Sequence, residues 1–249
     1  MFFITSFSWN LYKDYANRFI DSYIQTNQTI PVTIYVEEDI NKYPQVNNIT
    51  YVNLFEAVPS FKDFIERHKD KESKRFNSES KIEFRADFIR FAPKVFSQYH
   101  ASKQNKKFIW LDADNRFVKQ IPETFVDEFI PNDTFTSYYG RKEYTECGVL
   151  GFNSALDNEL NNSFFEKYLS WYDKDDVLKL PETQRTDCHT YDKTRNIFKT
   201  NPKYKELRKG DGADGHIIAR DKSINIFLDH HKGKRKYRDA SPEWVKETK

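Results

Sequence analysis

The apolar positions of this chain fall into two alternating rhythms. Residues 2–7 (FFITSF) form a short apolar run that predicts a buried strand. Residues 11–25 then place Leu11, Tyr15, Phe19, Ile20 and Tyr23 at helical spacing, and Pro31 marks a stop. The β-branched run 32–36 (VTIYV) predicts a second strand, and 50–55 (TYVNLF) a third. Strand, helix, strand at the start of a chain points to an α/β fold with a mostly parallel central sheet flanked by helices.

Residues 66–81 (ERHKDKESKRFNSESK) lack a sustained apolar period and predict an exposed, mobile loop between two helices. The stretch 81–99 predicts a helix. Phe84, Phe88, Phe91, Val95 and Tyr99 fall on one stripe, and Glu83, Asp87, Arg90 and Lys94 on another. Pro93 either kinks that helix or begins a second one. Residues 108–111 (FIWL) predict a buried strand, as do 134–139 and 147–153. Residues 163–172 predict an amphipathic helix and 186–200 another. The segment from Ile224 ends a strand in a loop rich in His and Lys, and 230–249 is set apart as a C-terminal tail. No repeat, linker or boundary interrupts the pattern, so one domain over 1–249 is expected.

Charge narrows the classes. Among 249 residues the charges nearly cancel, leaving +2, so nothing argues for nucleic acid or a membrane surface as partner of the whole chain. Two cysteines, Cys147 and Cys188, are too few for a secreted disulfide framework and point to a reducing compartment. No apolar run approaches the roughly 18 residues of a membrane span. A cytoplasmic protein is expected.

The candidate chemistry begins where the strand 108–111 ends. Asp112 and Asp114 alternate along an extended chain, so both carboxylates can face one point. Two carboxylates sharing a site raise one pKa unless a divalent cation neutralises them. Oxygen ligands suit Mg²⁺ or Mn²⁺, often completed by substrate phosphates. The alternative is a plain turn, since Asp and Asn favour turns. Farther on, His230, Gly233 and Lys236 are spaced three apart. A neutral imidazole ligates metals, a glycine lets backbone N–H groups approach phosphate, and a lysine adds charge. The alternative there is a basic patch of Lys232, Lys234, Arg235, Lys236 and Arg238 that binds nucleic acid or nothing. Such a patch leaves the acidic tip unexplained.

These two motifs make the sequence resemble glycosyltransferases of the GT-A fold, most of all the glycogenin and bacterial lipopolysaccharide galactosyltransferase type. The resemblance implies a single GT-A, Rossmann-like domain in which Asp112, Asp114 and His230 hold Mn²⁺ (or Mg²⁺). It implies that Gly233 and Lys236 contact the diphosphate of a UDP-sugar. In RADFIR (85–90), Arg90 would reach a phosphate and Asp87 a sugar hydroxyl, with Arg85 as a further contact. Asp87 and Arg90 as a simple ion pair is the alternative. Glu146 stands where the family has asparagine, a departure that bears on sugar choice or acceptor contact. Asp187, followed by Cys188 where the family has glutamine, is implied as the acid beside the anomeric carbon; an ordinary carboxylate at a helix N-terminus is the other reading. In the loop after the first strand, Trp9 or Tyr12 would stack on uracil or else pack in the core. Ser6 and Asn153 complete the implied donor contacts. The glycogenin-type ending is absent, since Tyr237 follows Lys236.

The implied reaction is metal-assisted transfer of a hexose from a UDP-sugar to a hydroxyl of a glycan or other acceptor, with retention. A nucleotidyltransferase competes, but its Gly-rich loop after the first strand is missing here. A non-catalytic nucleotide- or nucleic-acid-binding protein is the other competitor, as is a transferase that binds UDP without turnover.

Overall fold

The computed structural model describes residues 1–72, 81–201, 203–208 and 217–248. Seven strands form its main sheet in the order β3-β2-β1-β4-β7-β6-β8. They are β1 (Phe2–Ser6), β2 (Val32–Val36), β3 (Ile49–Asn53), β4 (Lys107–Leu111), β6 (Thr136–Tyr139), β7 (Glu146–Asn153) and β8 (Tyr204–Arg208). Only β7 runs against its neighbours, β4 and β6; every other pairing is parallel. A separate antiparallel ribbon joins β5 (Asn115–Phe117) to β9 (Leu228–His230).

The central strands β1, β2, β4 and β7 are largely buried on both faces because both faces are covered. Phe2 and Ile4 of β1 enter one core with Phe108, Trp110, Leu150 and Phe152, packed under the helices Ala92–Ser102, Asn158–Asp173 and Asp187–Ile197. Phe3, between them, points the other way and joins Ile34, Ile109, Leu111 and Val149 against the helix Asn17–Gln25. Aromatic rings supply much of both cores, as in the contacts of Phe152 with Phe108 and Phe165 at 5.1 and 5.0 Å.

Three expectations need correcting. The third strand stops at Asn53, whose side chain accepts hydrogen bonds from the N–H groups of Phe55 and Glu56; it caps a helical turn, Leu54–Ala57, inside the expected strand. The stretch 81–99 is not one helix. It breaks at Asp87 (φ −78°, ψ 70°) into Lys81–Ala86, a 3₁₀ turn Phe88–Phe91 and the helix Ala92–Ser102. Pro93, which lacks an N–H, lies in the first turn of that last helix, where none is needed. The apolar stripe is therefore discontinuous, and Phe84 is 41 % exposed. Within the charged stretch 66–81, Glu66, Arg67, Lys69 and Asp70 are exposed as expected, but Lys69–Glu72 is helical and His68 is buried against Asp175 at 2.7 Å, so this part is helix rather than loop. Residues 73–80, on which the rest of that expectation falls, lie outside the described residues. Among the described residues, no helix is long and apolar enough to cross a membrane.

Candidate functional site

The site is assembled at the carboxyl end of β4, where an open α/β sheet binds its ligands. Asp112 leaves the strand with its N–H still bonded to the Gly148 carbonyl of β7, at 2.9 Å. The chain then turns, and the Asn115 N–H donates back to the Asp112 carbonyl at 2.9 Å. The buried Asn115 amide donates to the carbonyls of Asp112 (2.9 Å) and Gly148 (3.1 Å), locking the turn to β7. Residues 112–115 are a turn, and that turn carries both carboxylates.

The ribbon of β5 and β9 carries the second motif to the first. Asn115 pairs with His230, and the His231 N–H donates to the Asp114 carbonyl. His230 Nε2 thereby comes to 3.1 Å from Asp114 Oδ1, although 116 residues separate them. Ligand atoms of Asp112, Asp114 and His230 all lie within 4.8 Å of one another. Two carboxylates and one imidazole, converging in this way, fit a hard divalent cation such as Mn²⁺ or Mg²⁺.

Cations of the chain surround the carboxylates. Lys236 lies 3.4 Å from Asp114 Oδ2 and 3.9 Å over the Tyr15 ring. Lys94 donates to Asp112 Oδ1 at 2.8 Å and pairs with Asp187 at 2.6 Å. Trp110 Nε1 donates to the same Asp112 oxygen at 2.7 Å. Burial works to raise the carboxyl pKa of Asp114, but Lys236 and His230 outweigh it and hold the group well below the usual range. Burial likewise lowers the pKa of His230, yet Asp114 and Glu146 bring it above the ordinary value.

Gly233 has φ +64°, the left-handed region open to glycine, and starts the 3₁₀ turn Gly233–Tyr237. Arg18 Nη1 donates to the carbonyls of Lys236 and Arg238, both at 2.9 Å, tying this strap to the helix Asn17–Gln25. A cleft of about 720 Å³ lies over the cluster. Ser6, Arg90, Lys94, Asp112, Asp114, Asp187, His230, Gly233 and Lys236 all line it.

Several of the other expected site residues are placed elsewhere. Asn153 is at the opposite end of the sheet: it pairs with Lys107, at the start of β4, because β7 is antiparallel to β4. Glu146 is buried and does not line the cleft; Arg141 (2.8 Å), Lys232 (3.5 Å) and the Gly148 N–H (3.0 Å) take its oxygens. Trp9 and Tyr12 stack on each other at 5.1 Å and meet Tyr43 edge-on, so they pack as an aromatic cluster and neither lines the cleft. Asp87 pairs with Arg90 at 3.3 Å, as the ion-pair alternative has it, while Arg90 also reaches the cleft. Arg85 lies 5.8 Å over the Tyr144 ring and does not line the cleft. Asp187 begins a helix capped by Thr186, is buried, and does face the cleft.

Two residues were not singled out from the sequence. Trp110 carried a usable signal, since it precedes Asp112 by two on an extended chain and shares its face. Lys94 stands among Pro93, Val95 and Phe96, all buried, which is unusual company for a lysine on a solvated stripe.

No family model and no curated protein matches the chain. Solved structures do. The apo form of mouse xyloside xylosyltransferase 1 is similar over 83 % of this chain and 84 % of its own, at 12 % identity and a TM-score of 0.47. The galactosyltransferase LgtC, in complex with donor and acceptor sugar analogs, is similar over 74 % and 68 %, at 14 % identity and a TM-score of 0.43. A glycosyltransferase involved in glycosylation of the major capsid of PBCV-1 is similar over 94 % and 96 %, at 14 % identity and a TM-score of 0.42.

Proposed function

We propose that the chain is a metal-dependent glycosyltransferase that moves a hexose from a nucleotide-sugar to a hydroxyl of a glycan or other acceptor, with retention at the anomeric carbon. UDP is the carrier that the motifs favour. One observation carries this reading: Asp112, Asp114 and His230 converge within 4.8 Å beside Lys236, in a cleft of about 720 Å³. A cation cluster alone would suit many proteins. A cation cluster flanked by a left-handed glycine and a lysine suits a diphosphate.

Asp112, Asp114 and His230 would hold Mn²⁺ or Mg²⁺, and the bound ion supplies positive charge to the departing diphosphate. Lys236, already at 3.4 Å from Asp114, adds a second charge on the same side. Trp110 and Lys94 orient Asp112 by occupying one of its oxygens. Asp187 and Arg90 line the cleft where the sugar would lie, Asp187 held in place by Lys94. Ser6, at the end of β1, lines the nucleotide side.

Thermal unfolding with UDP, with Mn²⁺ and with both tests the class. Stabilisation by UDP only when Mn²⁺ is present is expected, because a ligand that binds the native state raises its stability. Turnover of UDP-hexoses should follow. Absence of any UDP effect, together with salt-sensitive DNA binding, would instead favour the basic-patch reading.

A further inference from the structure

We propose that Cys147, Cys188 and Asp187 form a second metal site, selective for a soft divalent cation of the Zn²⁺ class. Cys147 lies on β7 and Cys188 in the first turn of the helix Asp187–Ile197. They are the two cysteines of the chain, and both are free thiols. Strand and helix bring both Sγ atoms and an oxygen of Asp187 within 4.8 Å of one another.

The carboxylate of Asp187 is divided between two neighbours. Its Oδ2 faces Lys94 at 2.6 Å, and its Oδ1 faces Cys188 Sγ at 3.7 Å. Zinc bonds of about 2.3 Å to sulfur and 2.0–2.2 Å to oxygen make the S···O edge of a tetrahedron about 3.5 Å. The pair is thus spaced for one ion with little movement, and Oδ2 can keep its lysine. Two thiolates and one carboxylate would face a dication and the buried Lys94 ammonium, which Asp187 shares with Asp112. Cys188 is partly exposed and Asp187 lines the cleft, so the fourth position opens toward solvent.

The two sites differ in hardness. Oxygen and imidazole donors at Asp112, Asp114 and His230 suit Mn²⁺ or Mg²⁺, whereas thiolates select Zn²⁺. An ion on Asp187 would engage the carboxylate proposed to face the sugar, and so would inhibit transfer. That consequence rests on the glycosyltransferase reading; the binding itself does not.

Titration of the fully reduced protein with Co²⁺ alone reads the site directly. A near-ultraviolet thiolate-to-cobalt charge-transfer band is expected, with loss of the band on adding Zn²⁺. The band should be lost in Cys188→Ser and kept in Asp114→Asn, whose altered residue belongs to the other cluster. Zn²⁺ should also protect Cys188 of the unaltered chain from alkylation by iodoacetamide, a measurement that needs no variant. A cobalt spectrum without a thiolate band, a band that survives Cys188→Ser, or alkylation indifferent to Zn²⁺ would overturn the proposal. Failure of UDP binding would leave the cobalt band in place, so the two readings fail separately.

Discussion

Lys94 and Asp187 form a 2.6 Å ion pair in which each side chain is only 8 % exposed. The same ammonium reaches Asp112 at 2.8 Å. One lysine therefore joins the tip of β4 to the start of the helix Asp187–Ile197.

Replacing Lys94 by Met leaves two carboxylates without their cation. Removing one partner of a buried pair costs about 3–5 kcal/mol. Urea unfolding should show a loss of that order in Lys94→Met, and Asp187→Asn on the same background should recover part of it. Equal midpoints for Lys94→Met and the unaltered chain would mean that the pair contributes nothing.

Asp114 meets both His230 and Lys236. Asp114→Asn removes a proposed ligand, so its effect on Mn²⁺ affinity should exceed the roughly 10–100-fold loss seen for outer partners of metal ligands. Titration calorimetry measures this, and the proposed hexose transfer should disappear with it.

The proton on His230 competes with a metal ion for the ring. Asp114 and Glu146 raise its pKa despite burial. Mn²⁺ affinity should accordingly increase as pH rises through neutrality. Metal-free stability should show the opposite trend. The His230 contribution is fully present below the unfolded value near 6.5 and is lost as pH climbs through the higher folded value.

Like Asp114, Glu146 contributes on the acid side. Burial alone would raise its carboxyl pKa, but Lys232, His230 and Arg141 lower it from 4.5 to about 2. Its contribution, on the order of 3 kcal/mol, is present above the unfolded value and fades as pH falls toward 2. Unfolding of Glu146→Gln at pH 7 and pH 3 should show a shallower pH dependence than that of the unaltered chain.

Gly148 leaves room for the imidazole. A Cβ there would lie 2.7 Å from His230 Cε1, 3.0 Å from Ile218 Cδ1 and 3.1 Å from Glu146 Oε1. Gly148→Ala should cost about 1–3 kcal/mol by overpacking. It should also weaken Mn²⁺ binding by displacing the ring, which calorimetry would detect.

The convergence of Asp112, Asp114 and His230 was legible in the sequence because each belongs to a short local pattern: a strand followed by Asp112 and Asp114, and a glycine between His230 and Lys236. What the sequence hid was direction. Residues 146–153 look the same whichever way the strand runs, but the antiparallel setting of β7 sends Asn153 to the far end and brings Gly148 to the centre. Lys94 was hidden for a related reason. On an uninterrupted helix it shares a polar stripe with Asp87 and Arg90; the break at Asp87 gives the following helix its own phase, and Lys94 turns inward. Trp9 and Tyr12 could not be assigned from local pattern, since Tyr43, which captures both, lies about thirty residues away.

The ribbon of β5 and β9 also sets an order of events in synthesis. Asp114 emerges long before its partner, 116 residues later. At ribosomal speeds of roughly 5–20 residues per second, the interval is on the order of ten seconds. A nascent chain can begin pairing β1 to β4 in that time, yet the proposed cation site stays open until β9 arrives. Closing so distant a contact is slow, so ion capture would belong to the final stage of maturation.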